Sequence, residues 1–439
     1  MSFLRSLQAL LCTMILMLIQ TLSAAAVPAL QPSQSELALV TSLASMASYD
    51  GEWNLLTRDR LRAAGWTIET YEHRVGSAQG RFHLLTRPDA AILAFPGTER
   101  KADAAIDLRI QRIPFGGRTP EQFAEIAASQ ADATALLVHR GFDEYTRAAL
   151  FTEKLADRGN LTTGESIVKT LLEHPDWPLL ITGHSLGGAA ATLAAARFSD
   201  MGIPASQLNV ITYGAPAVGN EAFAKTYEPN MQLTRYTIDY DPVHTVLQSM
   251  YRGFAQFGTR VEWKKDRKVD MFPHNMTVYL DKVLRSYYDD PNRTKTLLYG
   301  TPMQTAGVLM APIAFKMEDY LKEDQTYMDK ALTDNIGSEY TDVRIAKHAD
   351  MPNLTQEAKA QNCVYILRQR YTSERMRKSK DLMYHISLEE ELCDRDGNVL
   401  TVQNLSTNTK NLTPLESVIY LQEQAKEQRS VFLSAPKFK

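Results

Sequence analysis

Gly183-His184-Ser185-Leu186-Gly187 follows the apolar run Leu179-Leu180-Ile181-Thr182 and precedes Gly188-Ala189-Ala190-Ala191. The stretch reads as a strand, a tight turn and a helix, with a serine at the apex of the turn. Small residues on both sides of Ser185 let strand and helix approach closely, and a strained turn lifts the hydroxyl clear of the sheet. The pentapeptide pattern alone is weak. With Gly at 22 of 439 positions, chance supplies a Gly-x-Ser-x-Gly in about 7% of chains of this composition, so the context has to decide. Here an apolar strand lies before it and an alanine-rich helix after it, as that turn requires.

Working outward, 439 residues with 44% hydrophobic and 23% charged side chains and a formal net charge of -3 describe a globular protein with room for two domains. No basic patch asks for a nucleic acid. At the start, Arg5 is followed by an apolar run over residues 7–22 that opens into Ser23-Ala24-Ala25-Ala26. This reads as a secretory signal over residues 1–26, and so predicts a secreted or periplasmic protein; an uncleaved membrane anchor is the competing reading. Cys12 falls inside that segment. Cys363 and Cys393 remain, compatible with one disulfide or with two buried free thiols.

Helical spacing covers residues 35–48. A hairpin is expected from Thr67-Ile68-Glu69-Thr70-Tyr71 and Arg81-Phe82-His83-Leu84-Leu85, then a buried parallel strand over residues 90–95. Helical material is expected over residues 120–137 and 164–172, a helix over 187–198 behind Ser185, and strands over 208–213 and 232–238. Strands alternating with helices predict an α/β fold with a mostly parallel sheet, the α/β-hydrolase architecture, over residues 27–288. A turn-rich break at Asp289-Asp290-Pro291-Asn292 starts an α+β region, residues 289–439, of no evident role. There helices are expected to about residue 334, a strand over 342–346 and a helix started by Thr355. A hairpin across residues 394–398 follows, and a last helix is capped by Thr413-Pro414-Leu415-Glu416.

A serine hydroxyl needs a histidine to take its proton and a carboxylate to fix that histidine's tautomer. In the α/β-hydrolase order the carboxylate precedes the histidine. Asp239 and Asp241 end a predicted strand, and Asp241 is the better choice. Of the histidines beyond Ser185, His348 and His385 lie in the C-terminal region and His244 is too close in sequence to Asp241. His274, on a loop able to return over the sheet, is the choice for the general base. The oxyanion hole is expected from the amide of Leu186 and from Thr98 in Pro96-Gly97-Thr98-Glu99, directly after the buried strand.

These motifs, with residues 103–108, Val138-His139-Arg140-Gly141-Phe142, the segment 212–220 and residues 235–243, stand in the order and approximate spacing of the fungal-type class 3 lipases, which residues 90–280 resemble. The resemblance implies Ser185, Asp241 and His274 as the triad and Thr98 and Leu186 as the oxyanion hole. It implies hydrolysis of lipid esters without a cofactor or metal. Triacylglycerol lipase-like activity is expected, with a phospholipase or short-chain carboxylesterase as alternatives of the same chemistry and a non-catalytic binding protein as the alternative of another class. Four positions depart from the family pattern: Pro96 stands where Arg is common, His244 where Pro is common, and Ala215 and Ala217 where a larger or charged residue is common. Residues 110–137 occupy the place of a lid, with Phe115 beside Gly116-Gly117. Opening at a lipid-water interface would expose an apolar face, whereas inward packing by Phe123, Ile126 and Leu136 would make the same stretch an ordinary surface helix. The C-terminal region is expected to contact a protein partner or the catalytic domain.

Overall fold

The computed structural model of the protein describes residues 31–50, 52–75, 78–98, 111–131, 135–243, 253–265, 271–376 and 382–434. The expected signal segment, Cys12, Glu99, residues 103–108 and His244 lie outside them.

A seven-stranded sheet forms the centre of the first region, in the order Thr67–Val75, Ala78–Arg87, Ala90–Phe95, Leu179–His184, Leu208–Tyr213, Gln232–Ile238, Thr259–Trp263. The first two strands are antiparallel, and from Ala90–Phe95 onward every pairing is parallel. Both faces are covered, and the alternation of side chains along a strand divides the core accordingly. Ile92, Ala94 and Leu180 pack on one face with the helices Gln34–Ala47 and Met276–Asp289. Leu93, Phe95, Leu179 and Ile181 pack on the other with the helices Arg140–Leu150 and Leu186–Asp200.

Beyond the helix Met276–Asp289, a second, mixed sheet is ordered Val343–Ile345, Val308–Met310, Tyr365–Arg375, Tyr384–Asp394, Val399–Asn408, with Ala314–Lys316 also paired to Tyr365–Arg375. It does not stand apart. Tyr371, Ile386 and Leu388 from its strands, and Leu415, Val418, Leu421 and Ala425 from the last helix, Pro414–Leu433, belong to the same core cluster as Leu39, Leu43, Tyr279 and Tyr287. The buried Glu36 carboxylate adds polar stitches, accepting hydrogen bonds from the Leu297 amide (2.5 Å) and from the Thr294 and Thr296 hydroxyls.

Several local expectations change. The helix expected over 120–137 is only Pro120–Ala127, capped by Thr119, and Leu137–His139 is a strand paired with Arg112–Pro114. Residues 297–316 are not helical: they hold two of the short strands. The long strand Tyr365–Arg375 carries no clear signal because Arg368, Arg370 and Thr372 follow Ile366 on one face and the buried Gln369 and Ser373 interrupt Leu367 and Tyr371 on the other. The helix expected to start at Thr355 starts at Met351, with the Asp350 side chain accepting the Asn353 amide. The capping box of the last helix is formed as expected by Thr413 and Glu416.

Cys363 and Cys393 are both buried and unbridged, so the free-thiol alternative holds. Burial pushes both thiols up, Cys393 to about 11 with help from the neighbouring Glu391 charge. Among the described residues no helix is long and apolar enough to cross a membrane, and no cluster of His, Cys, Asp and Glu is arranged to hold a metal.

Phe115 is buried, meeting Phe223 and Tyr227 edge-on with the Arg197 guanidinium 3.7 Å from its ring centre. Arg197 also donates to Gly116 O at 2.6 Å and to Asp143 at 2.7 Å, which ties residues 115–116 down to the helix Leu186–Asp200. Phe123, fully buried, packs on Phe151. Phe115 and Phe123 thus pack inward, as an ordinary surface helix and a closed lid both require.

Candidate active site

The six residues of the strand Leu179–His184 are all buried, and the chain turns sharply at its end. Ser185 takes φ +56° and ψ -124°, a conformation that a non-glycine residue adopts at a strain cost of order 1–3 kcal/mol. The glycines around it follow from space. A Cβ on Gly183 would lie 2.2 Å from the Gly187 carbonyl carbon, and one on Gly187 would lie 2.2 Å from Phe95 O. Bare backbones are needed on both sides of the serine for strand and helix to cross at this distance. The Ser185 amide donates to Tyr213 O (3.0 Å), which holds the turn against the next strand.

Three side chains from three loops meet there. His274, just ahead of the helix Met276–Asp289, has Nε2 2.8 Å from Ser185 Oγ and Nδ1 2.9 Å from Asp241 Oδ2. Asp241 follows the strand Gln232–Ile238 and is fully buried. Burial would raise its pKa. The hydrogen bond and charge of His274, the Tyr279 hydroxyl and the Val243 amide outweigh that and hold the carboxyl below the usual range. Asp239, two residues earlier, is only half-buried, and its described hydrogen bond is made by its backbone amide to Trp263 O. His348 pairs with Glu357 on the surface and His385 is exposed on a strand of the second sheet.

Leu186 is the first residue of its helix, so its amide has no intrahelical partner. Thr98 is exposed and lines the same cleft as Ser185 and His274. The loop carrying Thr98 is pressed against the elbow: a Cβ on Gly97 would fall 2.2 Å from the Tyr49 hydroxyl and 2.9 Å from His184 O.

Four contributors carried no role in the sequence reading. Tyr279, one turn into the helix after His274, donates to the Asp241 oxygen that also receives His274, at 2.6 Å. Its own pKa is driven up, first by burial and then by the Asp241 charge. Gly214, at φ +56°, lies under Asp241 and His274 together; a Cβ there would be 2.8 Å from Asp241 Oδ2 and 3.2 Å from His274 Nδ1. It falls within the segment 212–220, but its approach to these two side chains depends on the fold, which spacing does not reveal. His184 bonds to Tyr49 through Nδ1 and tilts against the His274 ring, with centroids 4.5 Å apart. Burial, and then the His274 charge, push the His184 pKa well down, which keeps the ring neutral beside His274.

The cleft holds about 620 Å³ and extends from Ser185 between helices from both regions of the chain. Its walls are mostly apolar, with Leu43, Met276, Leu280, Leu412 and Ile419 among them.

Residues 92–249 match the class 3 lipase family model. The match includes Thr98, Ser185, Leu186 and Asp241 and ends before His274. Among similar proteins, a secreted mono- and diacylglycerol lipase A of Penicillium cyclopium is 40% identical over 83 residues, 18% of this chain and 27% of that protein. A phospholipase A1-II 3 of Oryza sativa subsp. indica is 27% identical over 173 residues, 36% of this chain and 39% of that one. Lipase II from Rhizopus niveus is 21% identical with a TM-score of 0.39, covering 54% of this chain and 82% of that one. The chain thus spans about a quarter of the length of such fungal relatives.

Proposed function

We propose that this protein is an exported serine hydrolase that cleaves carboxylic esters of lipids. The observation that carries the reading is His274 standing within hydrogen-bond distance of both Ser185 Oγ and the buried Asp241 carboxylate, at the head of an apolar cleft. His274 accepts the Ser185 proton as Oγ attacks the ester carbonyl, and Asp241 keeps Nδ1 protonated so that Nε2 is the free base. The amides of Leu186 and Thr98 receive the developing oxyanion. His274 then passes the proton to the departing alcohol, and water releases the acyl group from Ser185 by the same route. No step calls on a cofactor. The Tyr279 bond and the Gly214 contact fix Asp241 and His274 in the geometry that the proton transfer needs.

The substrate class rests on the class 3 lipase match and on the cleft's apolar lining. The similar proteins are named mono- and diacylglycerol lipase and phospholipase A1, so the class proposed is the lipid ester rather than one head group. Export rests on the leader read in residues 1–26, and the fungal relatives are named secreted. The test is fluorophosphonate labelling of the purified protein together with turnover of emulsified triacylglycerol, phospholipid and a soluble short-chain ester. Labelling and turnover that both vanish in Ser185→Ala are expected. Turnover surviving in the folded variant would place the chemistry elsewhere.

A further inference from the structure

The cleft behind Ser185 has a direction. Four helices run along it, each presenting one face at helical spacing. The helix Met276–Asp289 starts beside His274 and lines it with Met276, Leu280 and Leu284, about 12 Å at 1.5 Å per residue. The last helix, Pro414–Leu433, lines the opposite side with Glu416, Ile419, Tyr420 and Glu423, about 10 Å over seven residues. Its near end is fixed to the active-site end of the other helix, where the Thr277 hydroxyl donates to Asn411 O at 3.4 Å. The helix Glu52–Ala63 supplies Asn54, Thr57 and Arg60 at intervals of three.

The far end of the cleft is charged. Arg60 donates to Asn335 Oδ1 (3.0 Å) and Tyr299 Oη (3.3 Å), and its charge acts on Glu423. Behind them lies a second cavity of about 160 Å³, and both Arg60 and Glu423 line it as well. The two side chains therefore partition one space from the other. An acyl chain that reached past them would have to displace two half-buried charged side chains, Arg60 from its hydrogen bonds to Asn335 and Tyr299, with no polar group to replace them. A shorter chain stops before them, along walls that include Leu43, Met276, Leu280 and Ile419. The open length of about 10 Å corresponds to an extended octanoyl group, with bonds of about 1.5 Å.

We propose that the cleft is an acyl-chain tunnel walled by the C-terminal helix and floored by Arg60 and Glu423, which makes the protein selective for medium-length acyl esters. This rests on the serine ester hydrolase reading and adds a role for the C-terminal region: Leu412, Ile419 and Glu423 all lie beyond residue 289, so the substrate site is incomplete without it.

The test uses the full-length protein, labelled with a fluorophosphonate to count competent Ser185, and kcat/KM on p-nitrophenyl acetate, butyrate, octanoate and palmitate. Octanoate is expected to be best, with palmitate lower by at least about tenfold, the discrimination that a close-fitting apolar pocket gives. Glu423→Ala opens the floor to the second cavity and should raise the palmitate-to-octanoate ratio by about tenfold. Ile419→Trp fills the tunnel partway and should move the optimum to butyrate. If Glu423→Ala fails to fold by circular dichroism, the Ile419→Trp profile decides. Protein that labels at Ser185 but keeps one unchanged chain-length profile in both variants overturns the tunnel alone. Protein that neither labels nor turns over any ester overturns the hydrolase reading and the tunnel with it.

Discussion

Asp241→Asn isolates the tautomer argument, because the three donors described around this carboxylate leave an amide with one poor choice and one worse one. Oδ1 accepts the Val243 amide at 2.9 Å, and Oδ2 accepts both His274 Nδ1 at 2.9 Å and the Tyr279 hydroxyl at 2.6 Å. If the Asn oxygen takes the Oδ2 place, its NH2 faces the Val243 N–H in a fully buried site. Two donors then meet without an acceptor, at about 1–3 kcal/mol. If the oxygen takes the Oδ1 place, the NH2 faces His274 and Tyr279. Tyr279 can rotate its hydrogen away and accept; His274 can accept only by moving its proton to Nε2.

The second arrangement avoids the clash, so the variant settles there, with an N–H pointed at Ser185 and no base available. The expected loss in kcat is about 10⁴, or some 5.5 kcal/mol of activation free energy. The fold should persist, since volume is unchanged. The assay is kcat on a dissolved butyrate ester, with fluorophosphonate labelling rate and thermal melting in parallel. Asp239→Asn, at a half-buried position whose described bond is through the backbone, should change kcat less than about threefold, within the range of an exposed polar substitution. An Asp241→Asn enzyme with more than a tenth of wild-type kcat would refute the reasoning, as would equal losses at the two acids.

Phe115→Ala should lower stability by about 3–5 kcal/mol in chemical denaturation, because it empties a packed site under Arg197, while the response of activity to substrate passing its solubility limit keeps its shape. A changed response with unchanged stability would return this stretch to a lid role. Gly187→Ala should abolish labelling at Ser185, since its Cβ would sit 2.2 Å from a backbone oxygen that cannot move aside; a labelled, stable variant would show that the elbow tolerates the wider crossing. For pH, His184 and His83 both have folded pKa values below the ordinary one, His83 down to about 4 through burial and the Arg58 charge. Below about pH 6.5 the unfolded chain binds protons that these buried rings refuse, so stability is present above that pH and is lost as pH falls toward the folded values, at up to about 1.4 kcal/mol per unit for each ring. Melting temperatures from pH 8 to 5 should therefore fall less steeply in His184→Asn than in wild type; parallel curves would show that His184 is protonated in the folded protein.

The parts of the site that were legible in the sequence are those whose cause is local. A strand that must be apolar on both faces, a turn that must have glycine on either side and a helix of small residues leave a continuous record at 179–191, and the strand 90–95 leaves a similar one before Thr98. The order of Asp241 and His274 adds a constraint of topology. What escaped is set by approach between distant segments. Tyr279 is an ordinary helical tyrosine until the strand Gln232–Ile238 brings Asp241 under it. Phe115 beside two glycines gives no local sign of the ring contact it makes with Arg197, 82 positions later.

The C-terminal region illustrates the same limit most strongly. Its last helix announced itself through a capping box, and its role did not, because a pocket wall has no motif. Leu412, Glu416, Ile419 and Glu423 have the spacing of any helix face turned inward. That face meets Leu43, Leu280 and Leu284 because the second sheet shares one core with the helices that flank Ser185. The catalytic groups are thus gathered by one sheet, whereas the space in front of them is shaped by both. If the cleft takes the acyl chain, changes of chain-length preference without loss of chemistry are expected from Ile419 and Glu423 together with Arg60, Leu280 and Leu284, which line the same cleft.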